Sequence, residues 1–281
     1  NMACALSPKL TTKLKHENKN VTGASALFNL GDDIYIVSDN DHYIYKYAQN
    51  TVTAKIKIFD GDLPQDQDKL KKIKPDLEAS LVLPDGRVLL IPSGSKKNRS
   101  KAALIDSNFQ VTHIDLAPLY AELDIMLGDL NIEGAVILKG KLYLFHRGNS
   151  VKSKNSIIEL DLKKFQRDLV SKKIQADGIL RAVPVMLGEK EGIPYTFTDA
   201  IALEEEIYFL AAAEETEDPV LDGYVSGSLL GVLDKNLNLV KTKEFSEKIK
   251  FEGILFLNNQ FYLLSDPDDV AIPSELYILR P

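Results

Sequence analysis

Five segments of the chain repeat one pattern: an acid beside a small residue, an apolar run, a turn, and a second apolar run ending in polar residues. They are VTGASALFNLGDDIYIVSDND from Val21, DLEASLVLPDGRVLLIPSGS from Asp76, NIEGAVILKGKLYLFHRGNS from Asn131, FTDAIALEEEIYFLAAAEET from Phe197 and KFEGILFLNNQFYLLSDPDD from Lys250. The small residues are Ala24, Ala79, Gly134, Ala200 and Gly253, spaced by 55, 55, 66 and 53 residues. The head before Ala24 and the tail after Gly253 together supply about one more period, as in a ring whose last unit is closed by both termini.

Within each period, alternation and β-branched or aromatic enrichment give four strands. In the first they are 24–30, 34–38, 43–47 and 52–59; the fifth period runs out after three. Its missing outer strand is expected from 9–15 at the N-terminus. Asp85-Gly86, Leu30-Gly31-Asp32 and Asn258-Asn259 provide residues tolerant of positive φ for the hairpin turns. Four-stranded units repeated radially are propeller blades. The expected fold is all-β, a five-bladed β-propeller, one domain over residues 1–281, with short insertions at 62–74, 116–129 and 165–176.

Composition narrows the function. With 44% hydrophobic and 27% charged residues the chain has the mass for a large core. A formal charge of −7 argues against nucleic acid, whose binders need a basic surface. No apolar run approaches the roughly 18 residues of a membrane span. The single cysteine, Cys4, excludes an internal disulfide framework and a cysteine-based zinc site. Met2 after a lone Asn1 reads as a start methionine behind a tag remnant, so a cytoplasmic monomer is expected.

The innermost strand of a blade lines the central channel, where a Gly or Ala avoids collision with the next blade. The residue before each small one is Gly23, Glu78, Glu133, Asp199 and Glu252, so pseudo-symmetry sends four carboxylates into one channel. Two such charges about 6 Å apart repel by roughly 3 kcal/mol at an effective dielectric near 20. The group must take up protons, recruit basic side chains or hold a cation. Oxygen ligands without His or Cys suit a hard ion, Ca2+ before Mg2+, with Glu78, Glu133, Asp199 and Glu252 as ligands and a backbone carbonyl, water or Ser25 on the Gly23 side. The competing role is that each acid accepts backbone N–H groups of the next blade and pins the blades together.

The second strands end on the same face. Their ends carry Lys96, Lys97, Arg99, His146 and Arg147 on adjacent blades. Cations beside a metal would hold a small anionic ligand, with Lys96, Arg99, Arg147 and Asp266 as its binding residues. His146 or Asp39 would handle a proton. No P-loop, dinucleotide fingerprint, HExxH or nucleophile elbow is present.

NIEGA, HRGN and SGSKKNR are similar to recurrent motifs of an uncharacterised family of small bacterial β-propellers, and this resemblance covers the whole chain. More distantly, KFEGI, DLEAS and NIEGA resemble the channel-facing motifs of five-bladed calcium-activated nucleotidases of the apyrase type. Their glutamate start is also similar to phytase-like propellers and the gluconolactonase group. The nucleotidase resemblance implies axial calcium held by Glu78, Glu133 and Glu252, with Asp199, and a basic role for Arg147. Two departures stand against it: the chain has no tryptophan, and the Asp-Asp-Arg segment of those enzymes is here Ser38-Asp39-Asn40-Asp41. The functional expectation is a cation-binding propeller acting as a metal-dependent phosphoester or phosphoanhydride hydrolase. The alternatives are a non-enzymatic binding propeller with a structural metal and a lactonase or esterase.

Overall fold

The period-two pattern resolves into five antiparallel four-stranded sheets. The computed structural model describes residues 4–217, 220 and 223–281. Blade 1 comprises Ala24–Leu30, Asp33–Ser38, Tyr43–Ala48 and Thr51–Lys57. Blade 2 comprises Leu77–Val82, Val88–Pro92, Lys101–Ile105 and Val111–Asp115. Blade 3 comprises Ile132–Leu138, Lys141–His146, Ser156–Leu160 and Ile179–Pro184. Blade 4 comprises Thr196–Leu203, Glu206–Glu214, Val225–Leu233 and Leu239–Glu244. Blade 5 takes Phe251–Leu257, Gln260–Ser265 and Glu275–Leu279 from the C-terminus. Its fourth strand is Lys9–Lys13, which pairs antiparallel with Glu275–Leu279 and closes the ring as the repeat arithmetic requires.

Tight hairpins fall where the sequence tolerates a left-handed backbone. Both residues of Gln49-Asn50, Lys139-Gly140 and Asn258-Asn259 have φ between 52° and 76°, the type I′ geometry that matches strand twist. The three insertions hold helices: α1, Gln67–Ile73; α2, Ala117–Leu127; and α3, Leu162–Val170. Asp66 and Asp161 cap α1 and α3 by accepting the N–H of Lys69 and Lys164. No helix of the described residues is long and apolar enough to cross a membrane.

The core is divided by interface. Among the described residues, one apolar cluster fills each gap between neighbouring blades, with no common centre. Between blades 3 and 4, Phe145, Phe197 and Phe209 meet edge-to-face at centroid distances of 5.0 and 5.3 Å. Such pairs add about 1 kcal/mol each beyond their buried area. Small residues sit where inner strands approach: a Cβ on Gly134 would lie 3.0 Å from the Ala200 nitrogen, and one on Gly253 2.8 Å from Leu27 Cδ2.

All five inner strands carry a β-bulge at the same height, near their channel-mouth end. The unpaired residues are Ser25, Glu78, Glu133, Thr198 and Glu252. A bulge re-aims the side chain it frees and bends the strand. The bulge therefore defines which residues are equivalent around the ring.

Candidate metal centre

The sequence repeat aligns correctly in blades 2, 3 and 5 and slips in the other two. In blade 1 the bulge residue is Ser25, two positions beyond Gly23. In blade 4 it is Thr198, one position before Asp199. The ring at the channel mouth is thus three carboxylates and two hydroxyls. Ser25 Oγ donates to the Leu77 carbonyl, and Thr198 Oγ1 donates to the Phe251 carbonyl at 2.7 Å. Each hydroxyl bonds the residue just before the glutamate of the next blade, leaving its oxygen lone pairs free.

Glu78, Glu133 and Glu252 meet on the axis, each offering a carboxylate oxygen, and these oxygens lie within 4.8 Å of one another. Asp199 is not with them. It occupies the position that Gly134 and Gly253 hold in their blades, and its side chain crosses to the neighbour. Oδ1 accepts the Ala200 N–H and Oδ2 the Ile254 N–H, both at 2.8 Å. The expectation that Asp199 ligates metal is corrected by this register: it pins blade 4 to blade 5, the role weighed as the alternative for all four acids.

Burial outweighs the nearby cations in setting the axial charges. Glu78 and Glu133 are less than one-tenth exposed. Burial first, and neighbouring carboxylates second, push both well above the usual carboxylate range. Burial raises Glu252 too, although Lys250 Nζ lies 3.0 Å from it. No lysine or arginine among the described residues pairs with Glu78 or Glu133, and Glu133 Oε2 is buried with no hydrogen-bond partner. An orphaned oxygen in this setting needs a proton or a cation. An oxygen-only donor set of three carboxylates and two hydroxyls fits a hard divalent ion, so the residues present suit calcium.

Acids around this centre have their own cations. On one side Lys74 Nζ lies 3.1 Å from Asp76 and 3.3 Å from Asp39, and Arg99 Nη1 lies 3.3 Å from Asp76. On the other, Glu214 receives Arg147 at 3.2 Å and Lys250 at 3.4 Å. Although burial acts against them, these cations hold Asp76 and Glu214 below the usual range. Asp39 is pushed up to about 7, chiefly by burial, with Lys74 opposing. Its oxygen is within 4.8 Å of Asp76 and Glu78 oxygens. A cavity of about 700 Å³ stands over the glutamates, reached by Asp39, Lys250 and Asp266. A cleft of about 580 Å³ shares Asp39 and Asp266 and runs beside α1. At the opposite channel end the inner strands finish in a pocket of about 250 Å³, lined mostly by apolar residues with Asn29 and Ser80.

The basic residues picked from the sequence do not gather over the metal position. Arg99 is buried; besides Asp76 it bonds Ser95 Oγ, and its Nη2 donates to the Lys71 carbonyl at the end of α1. Asn98 donates to the Lys72 carbonyl at 2.6 Å, so SGSKKNR caps α1. Lys96 is fully exposed to solvent. Arg147 is buried between Glu214 and Thr196, with Nη2 unpartnered. His146 has no exposed surface. Its Nδ1 accepts the Asn131 N–H at 3.1 Å, so Nε2 carries the hydrogen that faces Ser153 Oγ. Burial lowers its pKa to about 4. Both ring nitrogens are engaged by the protein, which makes His146 a neutral structural link. Asp266, held by Ser274 at 3.2 Å, does line the cavity.

Lys74, Asp76, Glu214, Lys250 and Thr198 were not singled out from the sequence. Asp76 and Lys250 stand two residues before Glu78 and Glu252. Strand periodicity puts such positions on one face, which was the available signal.

Among solved structures, the chain matches one described as a study of GH130-family mannoside phosphorylases and glycoside hydrolases targeting β-1,2 mannosidic linkages in Candida mannan. The identity is 12%, covering 100% of this chain and 96% of that one, with a TM-score of 0.56. It also matches a glutaminyl cyclase of Myxococcus xanthus at 9% identity, covering 99% of both chains with a TM-score of 0.54. At these identities the likeness is one of fold alone. A search of curated proteins finds no match. A family profile does match, over residues 20–280, and the chain belongs to the family of unknown function DUF6929.

Proposed function

We propose that this protein binds one divalent cation, Ca2+ in preference to Mg2+, between Glu78, Glu133 and Glu252, with Ser25 and Thr198 completing the ring. The observation that carries the reading is the unpartnered, buried Glu133 Oε2 among three mutually accessible carboxylates, while Asp76 and Glu214 have cations of their own. When bound, such an ion would polarise a ligand oxygen and acidify a bound water, the chemistry of metal-assisted hydrolysis. In this reading Asp39, on the cavity wall, would accept a proton. Phosphoester or phosphoanhydride hydrolysis would need cations over the ion, and Arg99 and Arg147 are already neutralised by Asp76 and Glu214. That occupancy favours an uncharged ester or lactone as the hydrolysable group. It equally supports a second reading, a non-enzymatic propeller whose ion is structural.

Thermal melting with calcium, magnesium or chelator tests the site. A ligand bound only by the native state raises the melting temperature. Calcium is expected to raise that of the wild type and not that of Glu133→Gln. No shift with either ion in the wild type would leave the glutamates protonated and the proposal without support.

A further inference from the structure

The cavity over the axial glutamates has an unusual wall for a site expected to hold an anion. Besides those glutamates its ionisable side chains, among the described residues, are Asp39, Glu214, Asp266, Asp268 and Glu275, against Lys248 and Lys250. Both lysines are committed. Lys250 serves Glu252 and Glu214, and Lys248 donates to Tyr224 Oη at 2.9 Å and lies 3.4 Å from Glu191. A divalent ion among three glutamates would leave the centre negative, and the wall adds further negative charge. An anionic ligand would meet that field with both wall lysines of the described residues already partnered. A cationic ammonium or guanidinium group would suit the negative wall but has no lone pair to offer the ion.

We infer that the ligand of this cavity is an uncharged polyhydroxylated molecule, a sugar or sugar alcohol, that shares the axial cation through adjacent hydroxyl oxygens. This rests on the cation reading above. A hydroxyl group suits the wall because it has both functions required: lone pairs for a hard cation and an O–H for a carboxylate. Asp266 and Glu275 are acceptors on the wall. Asp266 takes Ser274 on Oδ1 and the backbone N–H groups of Gly23 and Asp268, and Glu275 takes Tyr277 on Oε1. Ile249, Val225 and Pro267 supply apolar surface for the C–H faces of a ring. A volume of about 700 Å³ suits a mono- or disaccharide. The site is more than an acidic cluster because Glu133 Oε2, buried and unpartnered, belongs to its floor.

Saturation-transfer NMR on the full chain, with a panel of aldopentoses, aldohexoses and their alditols, reads this directly. Transfer to sugar protons is expected with calcium and is expected to vanish with chelator, whereas general stabilisation by sugars as excluded osmolytes is indifferent to the ion. Asp266→Asn and Glu275→Gln should each weaken sugar binding about tenfold and leave the calcium melting shift intact. Sugar signals that persist with chelator, or no transfer to any member of the panel, would overturn the assignment. Broadening of the pyrophosphate phosphorus signal in preference to sugar binding would also overturn it while leaving the cation site standing. A protein without a calcium shift loses the cation reading first, and this inference with it.

Discussion

Asp199 and Glu133 are both buried acids at the channel end of an inner strand, separated in role by one residue of register. Asp199 uses both oxygens on backbone N–H groups. Asp199→Ala would leave those donors buried and unsatisfied, at about 1–3 kcal/mol each. Urea unfolding should therefore show a large loss, with the calcium response retained. Glu133→Gln should do the reverse, since its Oε2 bonds nothing. His146 gives a separate test at this scale. Its pKa of about 4 lies below the ordinary 6.5, so the unfolded chain takes up the proton first as pH falls. Its contribution is complete above about pH 6.5 and is lost towards pH 4, roughly 3 kcal/mol in all. Urea unfolding from pH 7 to pH 4 should show that loss in the wild type and a flatter dependence in His146→Gln. An unchanged slope would mean that His146 does not titrate in this window.

At the scale of the element, the bulge organises the inner strand, and it is also where the sequence was hardest to read. Apolar alternation gave every blade, because inner and outer faces differ in burial along each strand. The acids of DLEAS, NIEGA and KFEGI fall on the bulge and were placed correctly. Thr198 was obscured because a hydroxyl there looks like any strand residue, and because Asp199 beside it imitates the acid-before-small pattern; Ser25 was legible only as a substitute ligand on the Gly23 side. A bulge is a pairing event between strands and leaves no mark within one strand. SGSKKNR shows a similar limit: its charge was legible, but its use in holding the end of α1 depends on the fold bringing 71–72 beside 98–99. Thr198→Val should cost about 1 kcal/mol through the lost bond to Phe251 and should weaken calcium binding. Arg99→Ala should speed proteolytic cleavage within 62–74, leaving the rest of the ring resistant.

At the scale of the whole molecule, the ring is closed by Lys9–Lys13 on the last blade, and its packing lies between blades. Removing residues 1–13 should expose the edge of Glu275–Leu279 and sharply lower the melting temperature, because an open ring loses the mutual support of its first and last blades. Closure also brings five inner strands to one axis, concentrating Glu78, Glu133 and Glu252 where only Glu252 has a cation from its own blade, Lys250, among the described residues. On the proposal above, one cation resolves this concentration of charge, and an anomalous difference map from crystals grown with calcium would reveal it. One peak is expected on the axis, bonded to those three carboxylates at about 2.3–2.6 Å. An axis without a peak, with the glutamates bonded to one another through protons, would rule the cation out.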